Sequence, residues 1–270
     1  MKSLSEKTIS CLVCYHPVTY IGDIDSNRSA ADAFVGKRVF RDYGEPIPYH
    51  QCTSCKLIFS NHYASWCDED YSQFIYNSDY HLVDPPFENE RPISNAEWLH
   101  RCILSGNLAG KPSILDYGAG NGRFLQELQQ LGYQDLAGID KFCSFSRGDL
   151  SNQYDIVTCF EVLEHSLDPA QIIKDCINFL KEGGTFFFST LLLPQYSQSE
   201  VLSWWYIAPR NGHICIHTEE SLQKLTPPGF QVDCSSFRDI HTIARSDVSL
   251  PFSMEQIAHA RRPYLPGKKS

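Results

Sequence analysis

Ile114-Leu115-Asp116-Tyr117-Gly118-Ala119-Gly120-Asn121-Gly122 decides how the chain reads. Its first four residues form a short, mostly apolar run, the pattern of a buried strand. Three glycines at alternate positions then make a tight turn, because glycine takes positive φ without a Cβ penalty and lets the backbone come close to a ligand. Phe124, Leu125, Leu128 and Leu131 follow at helical spacing, and Gly132 stops the helix. Such a strand, turn and helix aim the helix's N-terminal N–H groups at whatever sits above the turn.

Working outward, strands and helices alternate. Leu136 to Ile139 reads as a second strand ending at Asp140, and Asp155 to Phe160 as another. Asp168 is an N-cap followed by proline at the first helical position, so a helix starts there. Its apolar face carries Ile172, Ile173, Cys176, Ile177 and Leu180, and Gly183-Gly184 ends it. Thr185 to Thr190 is a mostly apolar strand. Alternation of this kind predicts βαβ units, hence an α/β fold: a Rossmann-like parallel sheet with helices on both faces. Its ligand belongs at the carboxyl ends of the strands.

Asp140, 24 positions after Asp116, ends the next strand, where a carboxylate can accept hydrogen bonds from the ribose hydroxyls of an adenosine. A dinucleotide fingerprint would read GxGxxG; this turn reads GxGxG and follows an acid. Asp116 would repel a pyrophosphate but suits the ammonium of a methionine moiety. S-adenosylmethionine is therefore favoured over a nicotinamide dinucleotide.

The stretch 114–122 resembles motif I of the class I S-adenosylmethionine-dependent methyltransferases. Phe160-Glu161-Val162-Leu163-Glu164-His165-Ser166-Leu167-Asp168-Pro169 resembles the segment after their fourth strand, and Leu180-Lys181-Glu182-Gly183-Gly184-Thr185 the turn into their fifth. The resemblance implies roles. Gly118 and Gly120 would line the methionine side, Asp116 would orient the amino group, and Asp140 would hold the ribose. Asp149 would meet the adenine amino group, and Glu161 would sit at the mouth of the sheet. Tyr117 and Leu150 are counted with these as cofactor-side residues. His165 has two readings, a buttress of its loop or a catalytic group. One feature departs from the family: only eight residues separate Asp140 from Asp149, too few for a helical crossover. The usual helix is expected to shrink to a turn, leaving the adenine side open or differently built.

Eleven cysteines, an odd number, do not suggest a disulfide framework in a chain of 270 residues. Cys11-Leu12-Val13-Cys14 and Cys52-Thr53-Ser54-Cys55 are paired CxxC units, which suit a closed tetrahedral Zn-S₄ knuckle of structural character. A rubredoxin-type iron or four unrelated thiols are the other readings. The segment also resembles the zinc-binding N-terminal domain of bacterial small-molecule methyltransferases, sugar C-methyltransferases included, with Cys52 to Phe59 as the second knuckle. Cys143, Cys159 and Cys176 read as small core hydrophobes.

The chain thus divides into a knuckle over 1–60, an aromatic lid and helical segment over 61–110, a methyltransferase domain over 111–250, and a short helix and tail over 251–270. In the lid, Tyr76 or Tyr80 would pack beside a sulfonium or serve as a packing collar. The stretch Pro194 to His217 carries Trp204, Trp205, Tyr206, Arg210, His213 and His217 and should lie over the acceptor. His213 is the candidate base, and Thr218 with Glu219 and Glu220 starts the next helix.

With 42% hydrophobic and 20% charged residues the chain has a globular composition, and a net charge of −9 gives no general attraction for nucleic acid. Met1 to Ser10 lacks the apolar core of a signal peptide, and Thr185 to Leu193 is too short to span a membrane, so a soluble, cytoplasmic protein is expected. The expected activity is methyl transfer to a small molecule, with the acceptor atom and oligomeric state left open. The rivals are an RNA or protein methyltransferase and a non-catalytic S-adenosylmethionine-binding protein.

Overall fold

The computed structural model describes residues 9–106, 110–143, 145–195, 200–234, 239–249 and 255. The first part supplies β1 (Val18–Asp25), α1 (Ala31–Val35), β2 (Pro46–Cys52) and β3 (Ile58–Phe59). A helical stretch follows: α2 (Asp68–Phe74), α3 (Tyr80–Val83) and α4 (Glu90–Ser105). Then come β4 (Ile114–Tyr117), α5 (Arg123–Gln130), β5 (Leu136–Asp140), β6 (Phe145–Arg147), β7 (Tyr154–Phe160) and α6 (Pro169–Asn178). The chain continues through β8 (Leu180–Ser189), β9 (Cys215–Ile216), α7 (Glu219–Leu225), β10 (Phe230–Cys234) and β11 (Ile240–Arg245). Of 251–270, only Glu255 lies within the described residues.

Seven strands form the large sheet in the order β10-β11-β8-β7-β4-β5-β6. The central strands β5, β4, β7 and β8 are parallel. Successive side chains point to opposite faces, and both faces of this sheet are apolar. Ile114, Ile156 and Phe187 meet α4 and α5 through Trp98, Leu99, Phe124, Leu125 and Leu128. Leu115, Val157, Phe186 and Phe188 meet α6 and α7 through Ile173, Cys176, Leu222 and Leu225. The fold is a Rossmann-like α/β sheet covered on both sides. It lifts the carboxyl ends of β4, β5, β7 and β8 to one edge.

Three local expectations change. The stretch after Asp140 is a hairpin: β6 pairs antiparallel with β5, Asp140 with Phe145 and Gly138 with Arg147. An antiparallel return needs only a few residues, which is how eight suffice. The hairpin tip leaves Cys143 exposed, so it is no core residue, whereas Cys159 and Cys176 are fully buried. Finally, α6 stops at Asn178, and Leu180 belongs to β8 opposite Tyr154, with Gly183-Gly184 inside that strand. Leu180 still reaches the core it was expected to join. Asp168 does cap α6, its Oδ1 accepting from the Gln171 N–H at 3.1 Å.

The second sheet has the order β1-β2-β3-β9. Its fourth strand comes from the stretch after β8: Ile58 pairs with Ile216 and Phe59 with Cys215. One apolar core joins Ile24, Ile47, Tyr49 and Ile58 to Trp204, Tyr206, Ile207, Ile214 and Ile216. The boundary expected at residue 60 therefore does not close a self-contained unit; residues beyond 200 complete its sheet and core. Among the described residues, no helix is long and apolar enough to cross a membrane.

Candidate functional site

A cavity of about 1450 Å³ opens over the carboxyl ends of β4, β5, β7 and β8. Single drug-sized ligands occupy pockets of roughly 300–1,000 Å³, so two molecules can share this one. Its floor is the turn between β4 and α5. Gly118 N–H donates to the Ile139 carbonyl at 2.8 Å. With φ at 80°, Gly118 also sits against Val162: a Cβ there would lie 2.4 Å from Val162 Cγ2. Gly120, at φ 55°, has open space where its Cβ would be, so the loop presents bare backbone to the cavity.

Two acids flank this turn. Asp116 is buried, and its Oδ1 accepts from the Thr158 hydroxyl at 2.7 Å. Burial pushes its carboxyl up to about 7; the Thr158 hydrogen bond opposes the rise and Asp140 adds to it. Asp140 lies at the end of β5. Its Oδ2 accepts from Gly120 N–H at 2.9 Å, and its Oδ1 from the amides of Phe142 at 2.9 Å and Cys143 at 2.7 Å. The carboxylate thus ties the glycine turn to the hairpin tip.

The end of β7 supplies a second acidic pair. Glu161 sits at φ 56°, and Ser189 Oγ donates to its Oε1 at 2.7 Å. Glu164, three residues on in a 3₁₀ turn, is fully buried and accepts from the Tyr206 hydroxyl at 2.7 Å. Burial, then the nearby Glu161, raise its carboxyl to about 8 against the pull of Tyr206.

Two imidazoles lie beside these acids, with ring centroids 5.0 Å apart. His213 Nδ1 is 2.8 Å from the Tyr206 carbonyl, and His165 Nδ1 is 3.1 Å from the Gly212 carbonyl. A carbonyl only accepts, so each Nδ1 carries the proton and each Nε2 is left as a base. Burial holds both rings below the usual histidine range, that is, neutral. Both residues line the cavity.

Asp116, Tyr117, Gly118, Gly120, Asp140, Glu161 and His213 all line this one cavity. Asp149 and Leu150 do not, and their expected place beside the adenine is withdrawn. β6 runs back along β5, so the chain reaches Gly148 beside Leu136 and Ala137, at the opposite end of the strands. There the Asp149 carboxylate accepts from the amide and hydroxyl of Ser151, at 2.9 and 2.6 Å. Tyr76, Tyr80, Trp205 and Tyr206 line the cavity. Arg210 is not an acceptor ligand: its guanidinium donates to the Ile75 carbonyl and to Asn77 Oδ1, both at 2.8 Å. His217 is fully buried, with Nδ1 3.3 Å from Ser221 Oγ.

Sequence reasoning assigned no role to Glu164 or the Arg91–Asp84 pair, and it placed Tyr206 over the acceptor without its bond to Glu164. Arg91 and Asp84 line the cavity and form a two-pronged ion pair at 2.6 and 2.9 Å. The Tyr206–Glu164 contact joins residues 42 apart in the chain, and Arg91 meets Asp84 across seven.

The four CxxC sulfurs lie within 4.8 Å of one another. Cys14 Sγ is 3.4 Å from Cys52 Sγ and 3.6 Å from Cys55 Sγ, and Cys11 Sγ is 3.6 Å from Cys55 Sγ. Tetrahedral Zn–S bonds of about 2.3 Å require sulfur separations of about 3.8 Å, so the donor set fits. The two knuckles also match each other. Val13 N–H points at Cys11 Sγ at 3.4 Å and Ser54 N–H at Cys52 Sγ at 3.3 Å, while Tyr15 and Lys56, each just after its CxxC, both sit at φ 60°.

The chain has similarity to curated proteins named ubiquinone biosynthesis O-methyltransferase. It is 36% identical over 138 residues to that of Acinetobacter baylyi, covering 42% of this chain and 56% of the relative. It is 34% identical over 119 residues to that of Bordetella avium, covering 35% and 48%. The chain thus spans about half the length of these relatives. Similar solved structures include the plantazolicin methyltransferase BpumL in complex with SAH, at 16% identity and a TM-score of 0.44 over 68% of this chain and 91% of that one. The mitomycin 7-O-methyltransferase MmcR matches at 14% identity and 0.46, over 65% and 60%. The family model described as "Methyltransferase domain" matches residues 87–227, from the start of the helix before β4 to just past α7. That span is more than half of the chain and contains the glycine turn, both acidic pairs and both cavity histidines, and it makes this protein a member of the methyltransferase domain family.

Proposed function

We propose that this protein transfers a methyl group from S-adenosylmethionine to the oxygen of a small-molecule acceptor. The observation that carries the reading is the convergence of a bare glycine turn, Asp116 and Asp140 at one end of a two-molecule cavity, with His213 and His165 lining the same cavity. S-adenosylmethionine supplies a methyl already activated on a sulfonium, so the protein's task is alignment and proton removal.

Asp116 gives a buried negative charge to a ligand ammonium, and Asp140, held by three backbone amides, offers its remaining lone pair, on Oδ2, to a ribose hydroxyl. The aromatic rings of Tyr76 and Tyr80, 5.3 Å apart, favour a nearby positive charge. On the acceptor side, His213 Nε2 takes the proton of a hydroxyl as it attacks. The names of the curated relatives also speak for an oxygen acceptor. Four cysteines, Cys11, Cys14, Cys52 and Cys55, would hold a structural zinc, with no open position for chemistry. The proposal places the protein in the cytoplasm, a reducing compartment in which exposed thiols such as Cys67 and Cys143 persist.

The test is a tritium-transfer assay from methyl-labelled S-adenosylmethionine to a panel of phenols, enols and sugars. Transfer to at least one class that falls roughly 10²- to 10⁴-fold in His213→Gln supports the reading. Transfer that survives the substitution removes His213 from the mechanism.

A further inference from the structure

Among the described residues, the segment that carries His213 has little regular structure of its own, 3₁₀ turns at Val201–Ser203 and Pro209–Asn211 and the two residues of β9. Ordering such a segment costs backbone entropy, which packing from outside it must offset. Part of that packing comes from Glu164, Ile75 and Asn77, and the part nearest the His213 backbone comes from the cysteine module. Tyr49, fully buried in β2, donates its hydroxyl to the His213 carbonyl at 2.9 Å. One residue further, Ser60 N–H donates to the Ile214 carbonyl at 2.9 Å, and β3 then pairs with β9. Two successive carbonyls are therefore gripped by the same module. Together with the Nδ1 contact to Tyr206, this fixes both the peptide plane after His213 and the direction of its ring.

The grip runs back to the sulfurs. Tyr49 and Cys52 lie on one strand, and Cys52 N–H donates to the Leu57 carbonyl at 2.9 Å, immediately before β3. At the far end of the segment, the Thr218 hydroxyl donates to the Cys55 carbonyl at 2.6 Å.

We infer that Tyr49 is a positioning residue for His213, and that the cysteine module is the frame of the acceptor side of the cavity. The inference rests on His213 being the base of the proposed reaction. The cofactor-side turn, Gly118 to Gly122, takes its backbone partners from β5, from α5 and from within itself, so the frame acts on one side of the site only.

The test uses the full metal-loaded chain with isotope-labelled histidine, in wild type and Tyr49→Phe. His213→Gln identifies the His213 resonances. Wild type should show His213 with a protonated Nδ1 and a bare Nε2. In Tyr49→Phe, the His213 nitrogens should move toward a tautomer average and the titration midpoint should rise toward that of a free histidine. His100, which contacts Tyr133 on the far side of the large sheet, should not change, and S-adenosylhomocysteine affinity should stay within twofold. Stripping the metal from wild type with a chelator should give the same His213 change, and this serves as the test if Tyr49→Phe does not fold. Unchanged His213 signals, or equal changes at His100, overturn the inference. A chain that shows the His213 change but transfers no methyl in wild type refutes the proposed function and leaves the frame standing.

Discussion

The Tyr206 hydroxyl donates to Glu164 Oε1 at 2.7 Å, and both side chains are shut off from solvent. This bond ties the end of β7 to the segment over the cavity, and it sits on a carboxyl raised to about 8. The sign of the linkage follows. A carboxyl whose folded value lies above its ordinary one favours folding below the ordinary value and loses that contribution as pH rises to the folded value. Glu164→Gln keeps an acceptor for Tyr206 and removes the titration. Its stability relative to wild type should therefore increase steadily from pH 5 to pH 8 in urea unfolding. Equal stability differences at both pH values would show that Glu164 does not titrate in this window.

Tyr206→Phe removes the donor and leaves a buried acceptor without it. Such a loss costs about 1–3 kcal/mol. Chemical denaturation at pH 6 should show this loss with an unchanged slope. A wild-type midpoint would mean that the Tyr206–Glu164 bond contributes nothing.

Asp116, at about 7, predicts pH-dependent cofactor binding. A ligand ammonium needs the carboxylate form, so S-adenosylhomocysteine affinity should fall as pH drops below 7 and level off above it. Asp116→Asn still accepts from Thr158 but carries no charge. It should bind at least tenfold more weakly at pH 8, a loss of about 1.4 kcal/mol, and show no pH slope between 6 and 8.

His213 is neutral at pH 7, held low first by burial, against the raising influence of the Tyr206 carbonyl, Glu161 and Asp84, with Arg91 pushing it lower. A base must be unprotonated, so with S-adenosylmethionine saturating at every pH the acid limb of kcat/KM for the acceptor should fall below pH 6.5, with a plateau at neutral pH. An acid limb above 7 would point to another group.

The knuckle predicts about one zinc per chain by elemental analysis of freshly purified protein. Cys52→Ser should lose the metal and lower Tm, because a structural site contributes folding energy directly. Protein that keeps its Tm after chelation would contradict the structural role.

Local physics made much of this legible in sequence. The 114–122 stretch needs only neighbouring residues to specify strand, turn and helix. The Asp168-Pro169 start of α6 is likewise a local rule, and two CxxC units carry their own knuckle geometry. What escaped depends on pairing across the chain. Nothing within Cys215-Ile216 says that it joins β3, and a two-residue strand has no periodicity to read. The hairpin after Asp140 shows only as a shortage of residues. That shortage marks the missing crossover but not the antiparallel return, and Asp149 was misplaced for this reason. Arg210 was placed over the acceptor because its partners, Ile75 and Asn77, lie on a distant segment that the sequence does not connect to it.

The central claim is that the glycine turn with Asp116 and Asp140 forms an S-adenosylmethionine site. Calorimetric titration of the full chain with S-adenosylhomocysteine, in wild type, Asp116→Ala and Asp140→Ala, tests it most directly. Saturable binding by wild type that weakens more than tenfold in each variant is the predicted result; the same affinity in all three, or no binding by wild type, would contradict it.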